Sequence, residues 1–142
     1  MFMKKYLFLS VLILSLISCS KEKRIERQLD GSWNIEEYLS SGYNLDGSSS
    51  YDTTVYNFGT FEFDKSSNKG STSTIFDGQT EETNFNYSIT EDGKTINIKS
   101  EDGSNVKFNI LNYDKKKSME LYNLSTDSKS STTLIFKLKY RY

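Results

Sequence analysis

Asn84 to Ile110 reads NFNYSITEDGKTINIKSEDGSNVKFNI. Phe85, Tyr87 and Ile89 alternate with Asn86 and Ser88, then Ile96 and Ile98 flank Asn97. Val106, Phe108 and Ile110 follow, separated by Lys107 and Asn109. A period of two means a strand with one buried and one wet face. The three alternating runs are separated by Glu91-Asp92-Gly93 and Glu101-Asp102-Gly103. Asp-Gly suits a tight hairpin because both residues accept positive φ. Connections this short force each strand to run antiparallel to the one before it.

The same grammar extends in both directions. Upstream, 32–40 places Trp33 and Ile35 on one face, 58–64 has Phe61 and Phe63 around Glu62, and 71–76 carries Thr72, Thr74 and Phe76. Downstream, 118–124 carries Met119 and Leu121, and 132–141 alternates Leu134, Phe136, Leu138 and Tyr140 with Lys137, Lys139 and Arg141. Further Asp-Gly pairs stand at 30–31, 46–47 and 77–78, and 112–116 (NYDKK) is another turn. About eight strands in meander order predict an all-β fold, an eight-stranded antiparallel up-and-down barrel. Closure removes the edges that invite aggregation. Such a barrel has an interior that side chains fill or that holds one small ligand. In 24–29 (RIERQL), Ile25 and Leu29 are four apart, the spacing of one helix face, and predict a short N-terminal helical turn. Residues 41–57 (SGYNLDGSSSYDTTVYN) lack the alternation and read as a long loop.

The start of the chain has a different character. Lys4 and Lys5 precede an apolar run from Tyr6 to Ile17, the layout of a secretory signal. That run is well short of the ~20 residues a membrane-crossing helix needs. Leu16-Ile17-Ser18-Cys19, followed by the polar run Ser20-Lys21-Glu22-Lys23-Arg24, resembles the lipobox of bacterial lipoproteins. The resemblance implies cleavage before Cys19, a diacylglycerol on its sulfur and an N-acyl chain on the new amino terminus. Two chains hold a protein stably on a bilayer, at ~0.8 kcal/mol per buried CH₂. Three segments follow: 1–18 a signal peptide, 19–23 a lipidated tether, and 24–142 the barrel domain. By the same resemblance, neutral Ser20 after the cysteine favours the outer membrane, on its periplasmic or its outer face.

Composition removes several functions. The 142 residues suffice for one domain, with 35% hydrophobic and 26% charged side chains, 10 Tyr and 9 Phe. There is no His, and Cys19 is the sole Cys. Catalytic Ser-His or Cys-His pairs, HExxH zinc sites and cysteine zinc clusters are therefore excluded. Beyond residue 18 the acids outnumber the bases by 19 to 16, opposite to the basic surface that nucleic acid requires. No EF-hand spacing occurs, and no metal site is expected. Adjacent Glu36 and Glu37 face opposite ways in a regular strand, so they form no carboxylate pair. The reading is non-enzymatic.

Leu29-Asp30-Gly31-Ser32-Trp33-Asn34-Ile35 resembles the opening of the lipocalin and lipocalin-like families, where a short helix leads into Gly-x-Trp on the first strand. The likeness implies that Trp33, after Gly31, closes one end of the barrel against a basic residue of the last strand, Arg141 or Lys139. A second family motif with Asp and Arg mid-chain, and a late helix, are missing. The better match is to short lipocalin-like domains of bacterial lipoproteins. A small apolar ligand would then touch Phe61, Phe63, Phe76, Phe85, Tyr87 and Phe108, under 41–57 as a lid. The alternative is a filled barrel serving as a structural or protein-interaction module, with Tyr43, Tyr51 and Tyr56 as contacts.

Overall fold

The computed structural model describes residues 20–142; the signal segment and Cys19, with the expectations that fall on them, lie outside the described residues. Helix α1 (Lys21–Leu29) precedes β1 (Gly31–Asn44), β2 (Ser50–Asp64), β3 (Lys69–Phe76), β4 (Gln79–Ile89), β5 (Thr95–Ser100), β6 (Asn105–Asp114), β7 (Ser118–Thr126) and β8 (Ser130–Tyr140). Each strand pairs antiparallel with the next, and β8 returns to β1, closing the barrel. Residues 20–142 thus supply every strand of the closed ladder and the helix that seals it, a self-contained folding unit.

Three features differ from the sequence reading. The helix begins at Lys21 rather than 24, because the Ser20 hydroxyl accepts from the Lys23 amide and caps it. Most of the expected tether is therefore helical. Its Ile25 and Leu29 are buried, as their spacing requires.

The second difference is the supposed loop. Most of 41–57 is strand: β1 continues to Asn44 and β2 begins at Ser50, with Gly42 opposite Tyr51 and Ser40 opposite Thr53. Alternation marks a strand only where one face is buried. Most of this hairpin's residues beyond Ser40 are exposed or half-exposed, so the pattern is silent. Thr53, Thr54, Val55 and Tyr56 nevertheless have strand-favouring side chains.

The third difference is a β-bulge. Ile35 faces Leu138 and Glu37 faces Lys137, so β1 gains Glu36 as an extra residue over β8. Opposite it on β2, Asn57 adopts φ 53°. The bulge brings both glutamates to the outer wall, where Glu36 pairs with Lys139 at 3.2 Å and Glu37 with Lys137 at 2.8 Å. It also switches the inward set, from Trp33 and Ile35 below to Tyr38, Ser40 and Gly42 above.

The core occupies the helix-covered end. Leu29, Trp33, Ile35, Ile96 and Leu121 have no exposed surface, and Met119 and Leu138 almost none. The Trp33 indole donates to the Leu29 carbonyl at 2.7 Å, fastening the helix end to the first strand.

Candidate functional site

Ladder lengths make the two ends of the barrel unequal. At the helix end every neighbouring pair is bonded. At the other end β2 leaves β3 above Gly59–Thr74, β4 leaves β5 above Phe85–Ser100, and β6 leaves β7 above Asn109–Tyr122. Two wall pieces continue upward: β7-β8-β1-β2 on one side and the β3–β4 hairpin on the other. The inward side chains there face an opening rather than a sealed interior.

Exposure follows this geometry. Phe61, Phe63, Phe85, Tyr87 and Phe108 are buried, with 3–5% of their surface exposed. Their rings engage one another edge-on and by stacking: Phe61 with Phe63 at 5.7 Å, Phe63 with Tyr87 at 5.2 Å, Phe108 with Phe136 at 5.7 Å. Above them, Tyr38, Phe58 and Phe136 are only half-buried. Tyr38 stacks on Phe58 at 4.7 Å and leans on Phe136 at 4.9 Å. These three rings form the floor of an open cup. Val55, Val106 and Leu134 stand on its inner wall, half-buried; Thr53 and Thr83 are exposed nearer the rim. The Asn123 amide donates to the Lys107 carbonyl at 2.8 Å, bridging the β6–β7 seam where its ladder ends.

The expected lining residues therefore separate. Five are packed together beneath the cup. Phe76 shares the inner-face register of Thr72 and Thr74, but it lies beyond the last β2–β3 pair and is 66% exposed. With no strand beside it on the β2 side, it has nothing to pack against. The hairpin 41–57 forms wall, not lid. Phe136 follows the regular alternation of β8, whereas Tyr38 falls outside the Trp33–Ile35 alternation because the bulge changes the inward spacing on β1 from two to three after Ile35. The visible signal is Trp33-x-Ile35-x-x-Tyr38 across adjacent glutamates.

The closed end also departs from expectation. Arg141 lies past the end of β8, is exposed, and bonds through its backbone amide to the Ser32 carbonyl. Lys139 points to Glu36 on the outer wall. The ring opposite Trp33 is Tyr140, edge-on at 5.0 Å, with Lys116 Nζ 5.0 Å from the Tyr140 centroid. Register explains this: Trp33 faces Tyr140, and neighbours of Tyr140 on β8 point the other way. Gly31 is needed at the start of β1, at φ +120° and with a Cβ position that would collide with the Tyr140 ring.

Charge is distributed unevenly between the ends. The turns at the open end carry Asp46, Asp77, Glu101, Asp102 and Asp127 against one base, Lys129. Those at the closed end carry Lys65, Lys94, Lys115, Lys116 and Lys117 against Glu91 and Asp92. Three rim acids have lowered pKa values. Asp46 and Asp102 accept hydrogen bonds from Ser48 and Ser104, and Asp127 accepts from the Lys129 and Ser130 amides. The inner face of the upper barrel has no Lys or Arg, and its one charged residue is Glu81. Among the described residues no group of three or more His, Cys, Asp or Glu is placed to hold a metal ion. A hollow of about 430 Å³ over Gly31 and Gly70 includes Ser32, Glu62, Ser71 and Asn84 and lies on the outer wall.

A closed eight-stranded meander, sealed at one end by an N-terminal helix and a Gly-x-Trp tryptophan, defines a lipocalin-like barrel. No protein-family model matches the chain, and no curated protein matches it in sequence. Among solved structures it is similar to insecticyanin from the tobacco hornworm Manduca sexta, at 15% identity and a TM-score of 0.55, over 80% of this chain and 61% of that one. It is similar also to lobster apocrustacyanin A1, at 13% identity and a TM-score of 0.52, over 81% of this chain and 62% of that one. A lipocalin-like protein from Bacteroides uniformis aligns at 18% identity and a TM-score of 0.48, over 80% of this chain and 99% of that one. At these identities the likeness is one of fold.

Proposed function

We propose that this protein is a lipid-anchored envelope lipoprotein, non-enzymatic, that holds the apolar part of a small molecule in the open cup of its barrel. The observation that carries the binding reading is the incomplete burial of Tyr38, Phe58 and Phe136 on an inner face whose lower half is sealed. An apolar floor with polar groups around it is the usual make-up of a small-molecule site. Anchoring rests on the lipobox. Ser20, the helix cap, directly follows Cys19, so lipid on that cysteine holds the helix-sealed end near the bilayer and turns the cup away from it.

The first test is native mass spectrometry of Ser20–Tyr142 after exposure to envelope extract. A bound mass released on denaturation, and lost in Tyr38→Ala, supports the cup as the site; a clean apo mass in gentle conditions refutes it. Palmitate labelling lost in Cys19→Ala tests the anchor separately. A second reading, a protein-interaction module, draws on exposed Tyr43 (55%) and Tyr56 (68%) on the outward register of the β1–β2 hairpin. It gains if the apo result holds and changing both to Ser abolishes capture by an envelope partner.

A further inference from the structure

We infer that the molecule held in the cup is a cationic amphiphile, its ammonium-type head at the rim facing Glu81 and its apolar body on Tyr38, Phe58 and Phe136. This rests on the cup being a binding site and adds the charge of its ligand.

The inner face of the upper barrel lacks basic side chains. From Tyr38 to Gly42, Tyr51 to Phe58, Gln79 to Thr83, Asn123 to Ser125 and Ser130 to Phe136, no inward position carries a base. A carboxylate or sulfate head entering here meets no counter-charge. The same positions carry Glu81, opposite Thr74 on the inner register, exposed and without an ion-pair partner among the described residues. Strand order places β4 across the mouth from β8, so this carboxylate faces the opening from the side opposite Phe136.

The rim acts in the same sense. Asp46, Asp77, Glu101, Asp102 and Asp127 stand on the turns at the mouth against one base, Lys129, and turn hydrogen bonds lower the pKa of three of the acids. A rim with an excess of one sign raises the local concentration of the opposite charge. Aromatic faces beneath it attract cations and repel anions through their quadrupoles, most strongly where water is excluded. Exclusion of anions, attraction of cations and an apolar floor converge on one class of ligand.

The test displaces a neutral reporter, aminoanthracene, from Ser20–Tyr142 using three twelve-carbon amphiphiles below their micelle concentrations: dodecyltrimethylammonium, dodecanol and dodecanoate. The expected order is cation, then alcohol, then carboxylate, with roughly a tenfold step from cation to carboxylate at low salt. Added salt should narrow that step. Glu81→Gln should narrow the gap between cation and alcohol. Equal displacement by cation and alcohol, or stronger displacement by dodecanoate, overturns the inference and leaves the cup standing. Displacement by none of the three, with the reporter unbound, overturns the cup as well.

Discussion

Replacing Trp33 by Phe tests whether the helix truly seals the barrel. Trp33 has no exposed surface, and its indole N–H is bonded to the Leu29 carbonyl at the end of α1. Phe keeps an aromatic edge toward Tyr140 but cannot donate. The Leu29 carbonyl is then left without that donor in a buried place, which costs about 1–3 kcal/mol. The smaller ring also leaves a void of at least methyl size, worth ~1 kcal/mol. The sum is about 2–4 kcal/mol, a large share of the ~5–15 kcal/mol that holds a domain together. For a chain of this length, this corresponds to a drop in Tm of roughly 10 °C. Urea unfolding followed by near-ultraviolet circular dichroism, with calorimetry, reads the loss. Hydrogen exchange adds a local signature: the amides of 24–29 should lose protection before those of β4 and β5. A loss below about 1 kcal/mol, with the helix amides still protected, would refute the idea that this bond joins helix and barrel.

Gly59→Ala should destabilise by about 2 kcal/mol or more, because Gly59 sits at φ +143° and a Cβ there runs into the Ser73 backbone carbonyl; an unchanged urea midpoint would contradict the β2–β3 register. Tyr87→Phe should be neutral or slightly stabilising at pH 7, since the Tyr87 hydroxyl is buried with no hydrogen-bond partner among the described residues; a loss above about 1 kcal/mol would reveal a hidden partner. Burial, followed by the charges of Glu26, Asp30 and Asp64, raises the Tyr87 pKa from 10.0 to about 12. Its contribution is therefore present below pH 10 and lost as pH climbs toward 12, and Tyr87→Phe should flatten that alkaline decline. Hydrogen bonds from Ser66 and Ser67 lower Asp64 from 3.8 to about 2. Its contribution is present above about pH 4 and lost as pH falls toward 2, so Asp64→Asn should show a shallower acid dependence of its urea midpoint than the parent.

A barrel half filled and half open limits what can bind. The packed rings below Tyr38 leave the lower half to stability, and the ladder gaps above Gly59, Phe85 and Asn109 leave the upper half wide. A ligand there would keep one side near water, which suits an amphiphile better than a wholly apolar molecule.

The alternation of Phe85, Tyr87 and Ile89, the repeated Asp-Gly turns and the Gly31-x-Trp33 opening determined about eight antiparallel strands in meander order and pointed to a barrel; that β8 returns to β1 and closes it, tertiary pairing decided. Each of the sequence signals is local: side-chain period, turn conformation and one helix-to-strand junction. The sequence likewise excluded histidine chemistry and cysteine zinc clusters, which need residues this chain lacks. It did not reveal that 41–57 pairs, because a hairpin rising above the closed wall has no buried face to impose a pattern. The bulge at Glu36 was hidden for a related reason. One extra residue against β8 exchanges inside for outside, and only pairing across the barrel shows where the exchange falls. Tertiary structure alone decided that Tyr140, not Arg141, meets Trp33. It also decided that Phe61 and its neighbours are packed core while Tyr38, Phe58 and Phe136 are only half-buried. Whether an inward ring meets another ring or solvent depends on where neighbouring ladders end, and that is a property of eight strands together.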